Sequence, residues 1–108
     1  IKINSLIKLE ALKAKPSKYE LAKHSKSAKT LEELSNDSDY IVRRYVAKNT
    51  NCSAEILEKL SNDSYWYVRC GVARNPNCPV KVLEKLSNDS YYDVRKAVNE
   101  KLNSIRSA

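Results

Sequence analysis

The sequence predicts an all-α domain of stacked two-helix units, and three observations carry that expectation. The pentapeptide Leu-Ser-Asn-Asp-Ser starts at Leu34, Leu60 and Leu86, so it recurs every 26 residues. Residues 45–70 laid over 71–96 without a gap are identical at 16 of 26 positions. Within a unit the apolar residues fall three or four apart, Leu57 with Leu60 and Val68 with Val72, which is the spacing of a helix with one buried face. Self-similarity at a fixed period marks an array whose units can bury those faces only against their neighbours. A strand-containing repeat of similar length would need apolar residues two apart, and that alternation is missing.

The unit from Cys52 to Asn77 shows how each element is specified. Ser53 to Leu60 reads as a short helix. Its counterpart in the next unit has Pro79 where this one has Ser53, and Pro suits the first helical position. That places Cys52 and Cys78 at the N-caps, with Glu55 three residues on as half of a capping box. Asn62-Asp63-Ser64 then stops the helix and caps a second one, Tyr65 to Arg74. Asn75-Pro76-Asn77 ends that, because a residue before Pro avoids the α region. Each unit is thus two helices of roughly ten residues joined by tight turns.

The ends depart from the pattern, as array ends do. After Val98 the Asn-Pro-Asn-Cys punctuation is replaced by Asn99-Glu100-Lys101-Leu102, so the last helix can run to about residue 105 as a cap. Upstream, Leu21-Ala22-Lys23-His24 with Leu31 and Leu34 forms a degenerate repeat. Ahead of it, Ile3, Leu6, Ile7, Leu9 and Leu12 mark a helix stopped before Pro16. The expected organisation is one domain over residues 1–108. It comprises a capping helix (1–15), a degenerate repeat (17–36), two regular repeats (37–62 and 63–88), and a last helix with its cap (89–108).

Composition excludes several classes. No apolar run approaches the ~20 residues of a membrane span, and no signal-peptide core is visible. Cys52 and Cys78 are equivalent positions about 10 Å apart on helix-packing distances, beyond the ~7 Å between Cα atoms that a disulfide tolerates. With Cys70 on another row and no CxxC spacing, the three cysteines read as reduced thiols of a cytoplasmic protein. The net charge of +7 is concentrated in residues 1–30, where eight Lys face Glu10 and Glu20; residues 31–108 carry only +1. A nucleic-acid argument from charge therefore rests mainly on the N-terminal segment. One Gly leaves no phosphate-cradling loop, and His24, the sole His, reads as a surface or helix-end residue.

Asp37/Arg43, Asp63/Arg69 and Asp89/Arg95 pair at spacing six in every unit. They read as a structural ladder, each Asp capping a helix and accepting from an Arg of its own or the next unit. Tyr40, Trp66 and Tyr92 form an aromatic row expected to seal the turn between rungs. Gly71 stands inside a helix, where it costs about 1 kcal/mol relative to Ala; room for Tyr45 to lie across it would account for that.

The stretch Val72-Ala73-Arg74-Asn75-Pro76-Asn77-Cys78-Pro79, followed by Leu83, Leu86, Asp89, Val94 and Arg95, resembles the leucine-rich repeat variant family, a relative of HEAT-like repeats. The resemblance covers residues 34–98 well and 17–33 weakly. It implies a right-handed superhelix, a short α-solenoid. A founding member carries an iron–sulfur cluster on N-terminal cysteines; this chain has none before Cys52, so no cofactor is expected. By the HEAT analogy the second helix of each unit lines the concave side. Its face opposite Val68 and Val72 carries Tyr67, Cys70 and Arg74, preceded by Ile41, Arg44 and Lys48 and followed by Asp93, Lys96 and Glu100. The expectation is a non-enzymatic, monomeric scaffold that binds a protein or peptide through Tyr67, Arg44, Lys48, Arg74 and Lys96. The alternative is a nucleic-acid-binding module using the same basic residues and the N-terminal segment. No membrane partner and no small-molecule substrate are expected.

Overall fold

Serine hydroxyls start three of the helices. Ser17, Ser27 and Ser53 each sit in extended backbone and accept from the N–H three residues on, at Glu20, Thr30 and Ile56 (3.2 Å in each case), satisfying donors that a helix start otherwise leaves orphaned. The computed structural model describes residues 15–107. Among them the chain is all-α: seven helices and no strand. In order they are α1 (Lys18–His24), α2 (Ala28–Leu34), α3 (Tyr40–Lys48), α4 (Ala54–Leu60), α5 (Trp66–Arg74), α6 (Val80–Leu86) and α7 (Tyr92–Ser107). The capping helix expected over residues 1–15 falls outside the described residues except for Lys15. No helix among the described residues is long and apolar enough to cross a membrane.

Two corrections concern the helix starts. The N-caps of α4 and α6 are Ser53 and Pro79, not Cys52 and Cys78. The residue that closes the Ser53 cap is therefore Ile56, and Glu55 takes no part in a capping box. The cysteines instead bury their thiols in the core, just ahead of the caps.

The recurrent pentapeptide has a mechanical reading. Its Leu (Leu60, Leu86) is buried. The following Ser caps the C-terminus and turns its hydroxyl back onto the carbonyl three residues earlier, as Ser35 does onto Glu32 (2.6 Å). The Asn amide reaches the carbonyl four back, Asn36 onto Glu32 at 3.1 Å. The Asp then folds the chain into the next helix by accepting from the N–H two residues on: Asp37 from Asp39, Asp63 from Tyr65, Asp89 from Tyr91 (2.8–2.9 Å). Asp63 is not itself the N-cap of α5; Tyr65 is, and it makes no side-chain cap.

The core is one cluster. Val42, Val46, Ala47, Leu57, Val68, Val72, Ala73, Val94, Ala97 and Val98 are fully buried. Helices α1, α3, α5 and α7 pack side by side in chain order, while α2, α4 and α6 pack chiefly on the helices before and after them. Gly71 marks the closest approach. A Cβ there would lie 3.3 Å from Ala47 Cβ and 3.4 Å from the Arg44 carbonyl oxygen and Lys48 Cγ. The helix–helix contact with α3 accounts for the glycine, not a Tyr45 ring lying across it.

Polar bonds tie each unit to its neighbour on two lines. Asn49 donates to the Ala22 and Ser25 carbonyls (3.1 and 3.0 Å). Asn75, fully buried, donates to Ala47 and Asn49 (2.7 and 2.9 Å) and accepts from Asn77 N–H (2.8 Å). On the other line, Arg43 Nε donates to Asp63 at 2.7 Å and Arg69 Nε to Asp89 at 2.7 Å, while the same guanidiniums donate to the Asp37 and Asp63 carbonyls. The charge pair thus joins one unit to the next, twenty residues apart. The spacing-six contact is to backbone. Arg95 repeats only that part, donating to the Asp89 carbonyl. At the other end Lys18 stands in for an Arg, 3.4 Å from Asp37.

Candidate functional site

Because α3, α5 and α7 present the Val42/Val46, Val68/Val72 and Val94/Val98 stripes to the core, residues on the opposite side form one face across three helices. Tyr67, Lys48, Arg74, Lys96, Asp93 and Glu100 are exposed there, as is Ile41; Arg44 is half-buried. Arg44 lays its guanidinium flat over the Tyr67 ring, 3.7 Å from the centroid, joining α3 to α5. Its Nε is closed to solvent and has no hydrogen-bond partner. Arg74 Nη2 lies 3.8 Å from Glu100 and links α5 to α7. Burial, then the neighbouring Arg44 and Arg74 cations, hold the Lys48 ammonium below its ordinary pKa. These contacts join Arg44 to Tyr67 and Arg74 to Glu100, and Lys96 is exposed on α7.

Cys70 does not belong to that face. It is 1% exposed, a short side chain beneath longer neighbours. Burial pushes its thiol pKa up; Arg74 and Arg44 act in the opposite sense but do not prevail. Burial also raises Cys52 to about 12 and Cys78 to about 11. All three thiols are free and buried. Thiolate is the reactive form, so none should alkylate with iodoacetamide at neutral pH until the chain is unfolded in urea. Rapid labelling of the folded protein would contradict this. The folded-state pKa values lie above the ordinary ~8.5 of a free thiol, so the stability this contributes is complete below that pH and fades as pH rises towards the folded values.

The aromatic row differs from the expected Tyr40, Trp66 and Tyr92 in two places: Tyr65 lies between Tyr40 and Trp66, and Tyr91 takes the place of Tyr92. Tyr40 stacks on Tyr65 (4.3 Å between centroids, 12° between planes), Tyr65 on Trp66 (6.1 Å), and Trp66 on Tyr91 (5.8 Å). Tyr92 points away and is 66% exposed. Sequence reasoning also missed Lys23, whose ammonium sits 4.5 Å over the Tyr45 ring between α1 and α3. His24 is the last residue of α1, exposed, 3.8 Å from Glu20. The described residues contain no group of three potential metal ligands.

Between Trp66 and Ser90 one unit carries the whole pattern: α5, the Asn75–Cys78 turn, α6 and the turn into α7. Residues 66–90 match the leucine rich repeat variant family model. The resemblance drawn from Val72-Ala73-Arg74-Asn75-Pro76-Asn77 is thereby shown over that unit. No curated protein and no solved structure matches the chain significantly. The leucine rich repeat variant unit holds Tyr67 and Arg74 of the exposed face, together with Arg69, Asn75 and Asp89 of the two polar lines.

Proposed function

We propose that the chain is a non-enzymatic, monomeric helical-repeat scaffold, a short right-handed α-solenoid, that binds a protein or peptide across the face of α3, α5 and α7. The observation that carries this reading is the Arg44–Tyr67 stack: an exposed aromatic ring with a half-buried guanidinium packed on it from α3, the two residue types in which binding energy concentrates. The packing supports calling this side concave. The α3, α5, α7 row is in direct side-by-side contact, and α2, α4 and α6 are not in comparable contact with one another, as on the outer side of a curved array. Its three buried, unpaired thiols fit a reducing compartment, and we place the protein in the cytoplasm.

The test is a pull-down from the native host with paired variants. A Tyr67→Ala, Arg74→Ala bait should keep its helical content and melting temperature, since neither side chain is buried in the core. It should lose the partner by about 2 kcal/mol or more, the measure of a hot spot. Glu58→Ala with Lys59→Ala, on the exposed side of α4, should leave binding intact. The opposite pattern would move the working face to the first helices of the units.

A further inference from the structure

Charge pairing divides the surface unevenly. Lys18, Arg43, Lys59, Arg69, Arg74 and Lys81 each lie within 4 Å of a carboxylate. Among the described residues Arg44 and Lys48, like Lys23 and Lys96, have no such partner; what sets these two apart is that they stand one helical turn apart on α3 with Arg74 near enough to act on Lys48. Arg44 and Arg74 both act on the Lys48 ammonium, and no carboxylate of the described residues lies within 4 Å of Arg44 or Lys48. Such an arrangement stores a preference for a negative ligand, because an incoming anion relieves the repulsion and needs no protein carboxylate displaced from Arg44 or Lys48. On α7 the charge is mixed, with Asp93 and Glu100 exposed on either side of Lys96 and Glu100 on Arg74.

We propose that the α3–α5 half of this face, Arg44 stacked on the Tyr67 ring together with Lys48 and Arg74, takes an acidic peptide segment, and that Asp93 and Glu100 mark where the acidic stretch must end. The proposal deepens the protein-binding reading and rests on it. A peptide fits better than a nucleic acid. A phosphate backbone needs a basic track that continues along the array, and on α7 the carboxylates of Asp93 and Glu100 flank the one lysine, Lys96, that would continue it. The exposed Ile41 and Tyr67, 38% and 36% accessible, offer apolar contact between the charges. Arg44 is already immobilised on the Tyr67 ring, so less side-chain entropy is lost when a carboxylate binds it.

The test is a titration of the isotope-labelled full chain with capped hexaglutamate, read by heteronuclear NMR, with hexaglutamine and a short DNA duplex in parallel. Hexaglutamate should shift amide signals of α3 and α5 and the Arg44 Nε–H signal, and hexaglutamine should not. In an Arg44→Gln, Lys48→Gln variant with unchanged circular dichroism the affinity should fall about tenfold. Glu100→Gln, which frees Arg74, should tighten it. Absence of shifts at millimolar peptide, or shifts confined to the Lys-rich N-terminal segment or to α2, α4 and α6, would overturn the proposal. So would tighter binding of the duplex at the same residues. In the pull-down, a partner lost by the Tyr67/Arg74 variant but retained by Arg44→Gln, Lys48→Gln would leave the protein-binding reading standing and remove the acidic-segment one.

Discussion

Val68→Asp should abolish cooperative folding of the whole chain at room temperature. Val68 is fully buried in α5, the helix that packs on α3 on one side and α7 on the other. The substitution forfeits about 1.5–3 kcal/mol of apolar burial and places a carboxylate where no donor waits for it, a further cost of several kcal/mol. Against a domain stability of roughly 5–15 kcal/mol, that removes most or all of the margin. Each helix buries its face only against neighbours, so loss should spread to both sides of α5. Val80→Asp is the matched control. Val80 is 63% exposed at the start of α6, where a carboxylate meets the favourable end of the helix dipole, and its melting temperature should stay within a few degrees of the parent. Equal melting curves for Val68→Asp and the parent would show that the helix phase is wrong.

Arg69→Ala and Asp89→Ala should each be strongly destabilising, and the double variant should cost less than their sum. The Arg69 and Asp89 side chains are 11% and 8% exposed, so removing one strands the other out of water, at about 3–5 kcal/mol. A double-mutant cycle on this pair should return a coupling of about 1–3 kcal/mol. The same cycle on Arg69 and Asp63, residues of one unit, should return much less, because Arg69 meets the Asp63 backbone carbonyl and the Asp63 carboxylate belongs to Arg43. A larger Arg69–Asp63 coupling would refute the cross-unit pairing. The pair also sets an acid limit. Burial works against the Asp89 carboxylate, but bonds from Arg69 and the Tyr91 N–H outweigh it and its pKa is lowered. Its contribution is present above the ordinary carboxylate pKa of ~3.9 and is lost as pH falls through the lower folded value. The Arg69→Ala, Asp89→Ala variant should lack that part of the acid sensitivity.

The contrast between these two sites shows what the sequence could and could not convey. Val68 was legible because a period of three and four fixes which side of a helix is apolar. The partner of Arg69 was not, because in a strictly periodic chain spacing six and spacing twenty recur equally often, so own-unit and next-unit partners look the same. Tyr91 was confused with Tyr92 for a different reason: one residue turns a helix by about 100°, and the Asp89 turn sets where the helix begins. Cys70 reads as exposed on its own helix, and only packing against the neighbouring helices closes it off from solvent. Asn75 reads as a helix stop, and the role that it and Asn49 have in joining units depends on carbonyls more than twenty residues away. Tyr67, Lys48, Arg74 and Lys96 are exposed and Arg44 is half-buried. The stack that fixes Arg44 on Tyr67, and its missing carboxylate partner, appear only in three dimensions.

The two polar lines also run in opposite senses: arginine donates forward, Arg43 to Asp63 and Arg69 to Asp89, and asparagine donates backward, Asn49 to Ala22 and Asn75 to Ala47. Removing 26 consecutive residues between Arg43 and Asp63 onward would bring Asp89 to where Asp63 stood and leave no donor without an acceptor. Removing one residue between Arg43 and Asp63 would misalign both lines at the rung that spans the cut, while rungs beyond it keep their own spacing. The length of such a chain can therefore change only in whole units, a grammar in which the word is editable and the letter is not.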